Sequence, residues 1–238
     1  MATGRLEPER FAEMIAERTE NDADPVTSLC VAFTEVLGVS GAGLVLMSSG
    51  RSLGCVGVSD RVTEVIEQLE YTLGDGPCVD AFNRKVPVFD PDLADEQSIR
   101  WPEFRRGALE AGVHAAFGFP LLVDWVCIGS LNLYNNEAGA LTDDQIGDAR
   151  VVASVAGRTL LAWQAGAPPG SIAWQLEYVP NHRMAVHQAT GRISVQAGVS
   201  LADALVLLRA YAFAEDELIS DVAIDVAEGG LRFDRSEL

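Results

Sequence analysis

The segment Ala165-Gly-Ala-Pro-Pro-Gly170 constrains this chain more than any other feature. Two adjacent prolines fix φ and supply no amide hydrogen, and with glycines on either side neither helix nor strand continues through them. The 238 residues are therefore read as two domains, 1–165 and 171–238, joined by an extended, hinge-like linker at 166–170. Apolar residues make up 48% of the chain and charged ones 22%, which leaves material for a core and excludes disorder over most of the length.

The first part mixes two periodicities. Helical patterns cover residues 6–18 and 25–37, the second with Pro25 as an early helical residue and Gly38 at its close. Strand patterns at 43–47 and 53–58 flank Ser48-Ser-Gly-Arg51, which suits a hairpin turn. A helical stretch near 62–69, a glycine-punctuated turn, a short strand around 86–89 and a helix over 101–111 follow. Strands at 115–123 and 126–134 meet at Asp124-Trp125, and Thr142-Asp-Asp-Gln145 is a capping box for a helix reaching about Gln164. In that helix Ala149, Val152, Ala153, Ala156, Leu160 and Trp163 form one stripe, with Val151 and Val155 on another face. The second strip either meets a partner or is covered within one subunit. The order predicts an α+β domain built on an antiparallel sheet with flanking helices.

The second part is purely helical in pattern. Residues 171–178 stop before Pro180, Asn181 caps a helix to about Ala197, and Gly198 ends it. Ser200-Leu-Ala-Asp203 opens a helix to about Ala214 with Leu201, Ala204, Leu205, Leu208 and Ala212 on one side. Residues 218–227 bury Ile219, Val222, Ala223 and Val226 before Gly229-Gly230. An all-α three-helix bundle is expected.

Charge and motifs exclude several functions. With 17 basic and 35 acidic residues the chain carries −18, and neither part is basic: 12 against 25 before Gly166, 5 against 10 from there on. Bulk electrostatics cannot hold nucleic acid, so any such role must be local and shape-specific. The opening residues show no secretory pattern, which predicts a cytoplasmic protein. The longest apolar run, Ala115–Val123, is about half of the ~20 residues a spanning helix needs, so no membrane role is expected. Cys30, Cys55, Cys78 and Cys127 form no C-x-x-C pair, and with three histidines they suggest neither zinc spacing nor a disulfide framework. No nucleophile, base and acid are arranged for catalysis, so a non-enzyme is expected, and nothing names a cofactor.

Two stretches resemble known families. Tyr71-Thr-Leu-Gly-Asp-Gly-Pro-Cys-Val-Asp-Ala81, Trp101-Pro-Glu-Phe104, Phe117-Gly-Phe-Pro-Leu121 and Ile128-Gly-Ser-Leu-Asn-Leu-Tyr134 resemble the GAF domains of actinobacterial signalling proteins. Ala185-Val-His-Gln-Ala-Thr-Gly-Arg-Ile-Ser-Val195, residues 200–212 and Asp221-Val-Ala223 resemble the ANTAR domain, a three-helix RNA-binding module of transcription antiterminators. The resemblance implies a GAF sensor for a small molecule or redox change, joined to an effector that binds RNA hairpins so that transcription passes a terminator. RNA recognition by stacking and base-edge hydrogen bonds is compatible with an acidic chain. With five basic residues in the module, homodimerisation is expected to supply avidity. The alternative is a ligand-sensing scaffold whose helical tail binds a protein.

Candidate site residues follow from these stretches. Val186, Ala189, Ile193 and Ala197 are assigned to the bundle core, and Arg183, His187, Gly191 and Ser194 to another face. Arg183, His187, Arg192, Ser194 and Arg209 are candidates for RNA phosphates and base edges, and Tyr211 for stacking on a base. A mid-helix glycine costs about 1 kcal/mol against alanine, so Gly191 suggests the close approach of a helix or a nucleotide. In the first part Cys78, Trp101, Phe104 and Phe117 are candidates for an apolar ligand pocket. Gly74-Asp-Gly-Pro77 lacks the ending of a phosphate loop and reads as a turn feeding a helix.

Overall fold

The computed structural model describes residues 6–19, 24–48, 51–166, 182–215 and 217–233. The chain divides into two compact units, Met1–Ser171 and Ile172–Leu238. Each is described by itself.

In the first unit, β1 (Gly41–Ser48), β2 (Arg51–Val58), β3 (Val88–Asp90), β4 (Ala115–Val123) and β5 (Val126–Asn135) form one antiparallel sheet in the order β2-β1-β5-β4-β3. Side chains alternate across it. Phe117, Phe119 and Leu121 on β4 and Leu131 and Leu133 on β5 join a core with α1 (Pro8–Thr19), α2 (Pro25–Leu37) and α6 (Asp143–Gly166). Ala116 and Tyr134 turn to the opposite core, under α3 (Arg61–Leu73), α4 (Pro77–Arg84) and α5 (Pro102–Glu110). Val155 is buried in the first core and Val151 packs against it, so the second apolar strip of α6 is covered within the unit.

Local signals explain the boundaries. Asp24 accepts the Thr27 amide at the start of α2, and Gly38 closes that helix in the left-handed region at φ 63°. Asp60 accepts the amides of Val62 (2.9 Å) and Thr63 (3.0 Å), opening α3. The capping box of α6 is reciprocal, Thr142 N to Gln145 Oε1 at 2.9 Å and Gln145 N to Thr142 Oγ1 at 3.2 Å. Gln145 Nε2 also donates to the Leu37 carbonyl, tying α6 to the end of α2. Between β3 and α5, Arg105 pairs with Asp90 at 2.6 Å, both nearly out of solvent, and donates to the carbonyls of Asp92 (3.0 Å) and Asp95 (2.7 Å). That arginine holds the loop closed.

The second unit contains α7 (His182–Ala197), α8 (Leu201–Ala214) and α9 (Ile219–Glu228). Val186, Ala189, Ile193 and Ala197 are buried as expected, and so are Ile219, Val222, Ala223 and Val226. On α8 the buried stripe is narrower than expected: Ala204, Leu208 and Ala212 are covered, Leu205 is half-buried, and Leu201 at the first helical position is 60% exposed. Ser200 accepts the Asp203 amide at 3.1 Å, and Gly229 closes α9 at φ 90°. The helix expected at 171–178, and Asn181 as the expected cap of α7, lie outside the described residues. Among the described residues no single helix is long and apolar enough to cross a membrane.

Candidate functional site

The buried polar groups of the first unit gather between α3, α4 and the sheet. Glu67 and Glu70 stand one turn apart on α3, above Ser130, Asn132 and Tyr134 of β5 and beside Cys78 of α4, and none of the six is more than 4% exposed. Asn132 Nδ2 donates to both carboxylate oxygens of Glu67, at 2.9 and 3.1 Å, and lies 3.5 Å from Glu70 Oε2. The Tyr134 hydroxyl reaches Glu67 Oε1 at 3.2 Å and Glu70 Oε2 at 3.3 Å. Ser130 Oγ donates to Asn132 Oδ1 at 2.7 Å, which fixes the amide with its donors toward the acids.

Glycine makes room for this cluster. A Cβ on Gly43 of β1 would collide with the Glu67 carboxylate, and one on Gly76 with that of Glu70. Gly76 also needs its freedom, since it sits at φ 145° as the residue before α4 and offers no side-chain cap. Glu70 Oε1 supplies the cap instead, accepting the Cys78 amide at 3.0 Å. The Gly74–Pro77 turn thus feeds a helix, as expected, and the Cys78 amide that follows it is turned to protein.

The electrostatics follow from burial. Desolvation, then the neighbouring Glu67 carboxylate, pushes Glu70 up to about 8, so it is protonated at neutral pH. Burial, and after it the two acids, raises Cys78 and Tyr134 well above their usual values. Cys78 is a thiol here, a weak nucleophile. All four cysteines are free, with burial also raising Cys30 and Cys127. Among the described residues no group of three or more His, Cys, Asp or Glu could hold a metal ion.

Of the expected pocket residues, Cys78, Trp101 and Phe104 come to this side of the sheet. Trp101 and Phe104 meet edge to face at 6.2 Å, in a cluster with Ile66, Leu93 and Tyr134. Phe117 points the other way, edge-on to Phe89 at 6.0 Å in the core under α1, α2 and α6. Trp101 has φ 47° just before Pro102, and the Arg100 guanidinium stacks 3.9 Å over its ring. Glu67, Glu70, Asn132 and Tyr134 are absent from the residues expected of the site. Their signal in the sequence is polar side chains at alternate positions of a strand otherwise apolar, Ser130 and Asn132, and two acids three apart on an amphipathic helix.

In the second unit His187 is exposed, while Arg192, Ser194 and Tyr211 are each engaged within the unit. Arg192 Nη1 donates to the Val226 carbonyl at 3.2 Å, near the C-terminus of α9. Ser194 Oγ donates to the Val199 carbonyl at 2.7 Å. Tyr211 packs edge to face on the buried Phe233 at 5.5 Å, and the Phe233 amide is held by Gln196 Oε1 at 3.1 Å. Arg209 is half-buried on α8. The Arg183 side chain lies outside the described atoms. A Cβ on Gly191 would meet nothing within 4 Å, so no neighbour among the described residues accounts for that glycine.

The chain is similar to several solved structures over about two thirds of its length. A domain of a two-component sensor histidine kinase protein from Sinorhizobium meliloti is 20% identical, covering 61% of this chain and 96% of its own, with a TM-score of 0.44. The GAF domain of a phosphoenolpyruvate-protein phosphotransferase from Coxiella burnetii is 13% identical, covering 67% and 95%, at 0.49. A type II free methionine-R-sulfoxide reductase from Thermoplasma acidophilum is 14% identical, covering 66% and 96%, at 0.45. Comparison with curated proteins returns no match. The profile of the GAF domain matches residues 23–160, more than half of the chain, and its bounds enclose the whole sheet and every residue of the buried polar cluster. The chain belongs to the GAF domain family, and its first unit is the ligand- and signal-sensing scaffold of that family.

Proposed function

We propose that this protein is a non-enzymatic, signal-responsive regulator of transcription antitermination, in which the GAF unit senses a small molecule or redox change and the helical unit reads RNA hairpins. The observation that carries this reading is the presence in one chain of a GAF domain and a second compact unit, Ile172–Leu238, whose described residues form three helices and whose residues 185–195 and 200–212 resemble the ANTAR module. Exposed His187 and the arginines Arg183, Arg192 and Arg209 are assigned to the RNA, with Ser194 and Tyr211 beside them. Because Arg192 spends one nitrogen on Val226, its remaining donors serve a phosphate, and Tyr211 presents a ring already braced by Phe233. On the GAF side, Cys78, Trp101 and Phe104 flank the ligand, and a homodimer supplies two RNA modules.

Gel-shift titration of the full chain against paired RNA stem-loops, with double-stranded DNA as control, tests this reading. Retention of the RNA, weakened in salt and weakened further by Arg192→Ala with Arg209→Ala, is expected. A second reading has its own support: Val195, Val206 and Phe213 leave half or more of their surface in solvent on α7 and α8, which suits a protein partner for the tail. Under that reading the RNA is ignored in every arm.

A further inference from the structure

Two carboxyl groups out of solvent, both within reach of the same two donors, cannot both be anions without a large electrostatic penalty. Glu67 and Glu70 are so placed: the Tyr134 hydroxyl and the Asn132 amide each touch both acids. Other titratable groups facing Glu70 are Tyr134 from β5 and Cys78 from α4, both of which burial keeps neutral. Glu67 is faced from β1 by Gly43, which carries no side chain, and its charge also reaches Cys30 of α2, which burial keeps neutral; α5 meets α3 where Gly107 packs on Leu69, its buried Arg105 being committed to Asp90.

Glu70 has a second duty. Its Oε1 accepts the amide of Cys78, the second residue of α4, whose own cap position is the bare Gly76. The carboxyl group therefore fastens the start of α4 to α3, across a turn with left-handed Gly74 (φ 66°) and Gly76 (φ 145°). Glu70 stands nearer the end of α3 than Glu67, which is held by two bonds from Asn132.

We propose that Glu67 and Glu70 hold one proton between them and that this proton latches the α3–α4 corner of the GAF unit. With the proton in place the pair carries one negative charge and Glu70 stays buried between α3 and the sheet, capping α4. When the proton leaves, the second negative charge drives the Glu70 carboxylate toward solvent, the Cys78 amide loses its acceptor, and the first turn of α4 loosens from β4. The corner is then a proton-sensitive element beside Trp101 and Phe104. The inference needs neither a ligand nor RNA, so it stands or falls apart from the function proposed above.

Infrared spectroscopy and hydrogen exchange on the full chain test it. The wild type is expected to show a protonated-carboxyl C=O stretch at neutral pH that titrates away in the alkaline range and is missing in Glu70→Gln. Amide exchange in residues 78–82, corrected for its intrinsic pH dependence, is expected to rise at least tenfold in the wild type between about pH 6 and about pH 9, and to stay flat in Glu70→Gln. Absence of the carboxyl band from the wild type at neutral pH overturns the proposal, and this arm needs no folded variant. Equal pH dependence of exchange in wild type and Glu70→Gln overturns it as well.

Discussion

Glu70 links protons to stability with a definite sign. Its folded-state value of about 8 lies above the usual 4.5, so across that window the folded chain binds more protons than the unfolded one. The stabilisation is complete below the window and is lost as pH rises through it. Thermal unfolding from about pH 5 to about pH 8.5 is expected to show a falling melting temperature for the GAF unit, with a shallower fall in Glu70→Gln. Equal slopes would contradict the assignment. Arg105 makes a contrasting case, because it forms a buried ion pair with Asp90. Arg105→Ala leaves that carboxylate uncompensated and should cost about 3–5 kcal/mol in denaturant unfolding. A double variant with Asp90→Asn is expected to recover part of the loss; no recovery would mean the arginine acts through the loop carbonyls alone. Neither residue stands out in the sequence, since burial of a charge depends on neighbours that are distant along the chain. Asn132, for example, meets Glu67 across 65 positions.

At the scale of elements, local signals carried far. The caps at Asp24, Asp60, Thr142 and Ser200 sit where their side-chain chemistry puts a helix start, and β4 begins and ends where the apolar run does. What escaped was set by tertiary contact. The Gly74–Pro77 turn announces α4, but the helix has eight residues, too short to show a period, and the Glu70 carboxyl group of α3 that caps its start leaves no local signal. Phe117 was grouped with Trp101 and Phe104 because all three are aromatic, yet strand alternation turns it to the other face of the sheet. Two substitutions probe the helical unit. Ser200→Ala removes the cap of α8 and should cost about 1 kcal/mol. Gly191→Ala adds a Cβ where nothing stands within 4 Å, so it should stabilise α7 by about 0.5–1 kcal/mol. If that variant is more stable and binds hairpins more weakly, a nucleotide approaches the helix at Gly191. If it is more stable and binds unchanged, the glycine has no part in the RNA face.

For the whole molecule, two units follow one another along a chain of net charge −18, and the diproline segment that suggested their boundary lies just ahead of the division between Ser171 and Ile172. The α+β architecture was readable because the sheet is antiparallel, with several strands joined by short turns that leave marks in the sequence, while the GAF family was legible only through the resemblance of residues 71–81, 101–104, 117–121 and 128–134. The buried polar cluster was not readable, because it is assembled from α3, α4 and β5 by contacts between residues distant along the chain. An acidic chain that reads RNA must do so through a few arginines and base contacts. Its salt dependence should therefore be shallow, a slope of about −0.7 per phosphate neutralised on single-stranded loops. The most direct measurement is the affinity of the purified full-length chain for paired RNA stem-loops over a series of salt concentrations, beside the Arg192→Ala, Arg209→Ala double variant. The account predicts selective binding of the stem-loops over duplex DNA, with the double variant weaker and its salt slope flatter by one to two phosphate contacts. Equal indifference of both proteins to the stem-loops would contradict it.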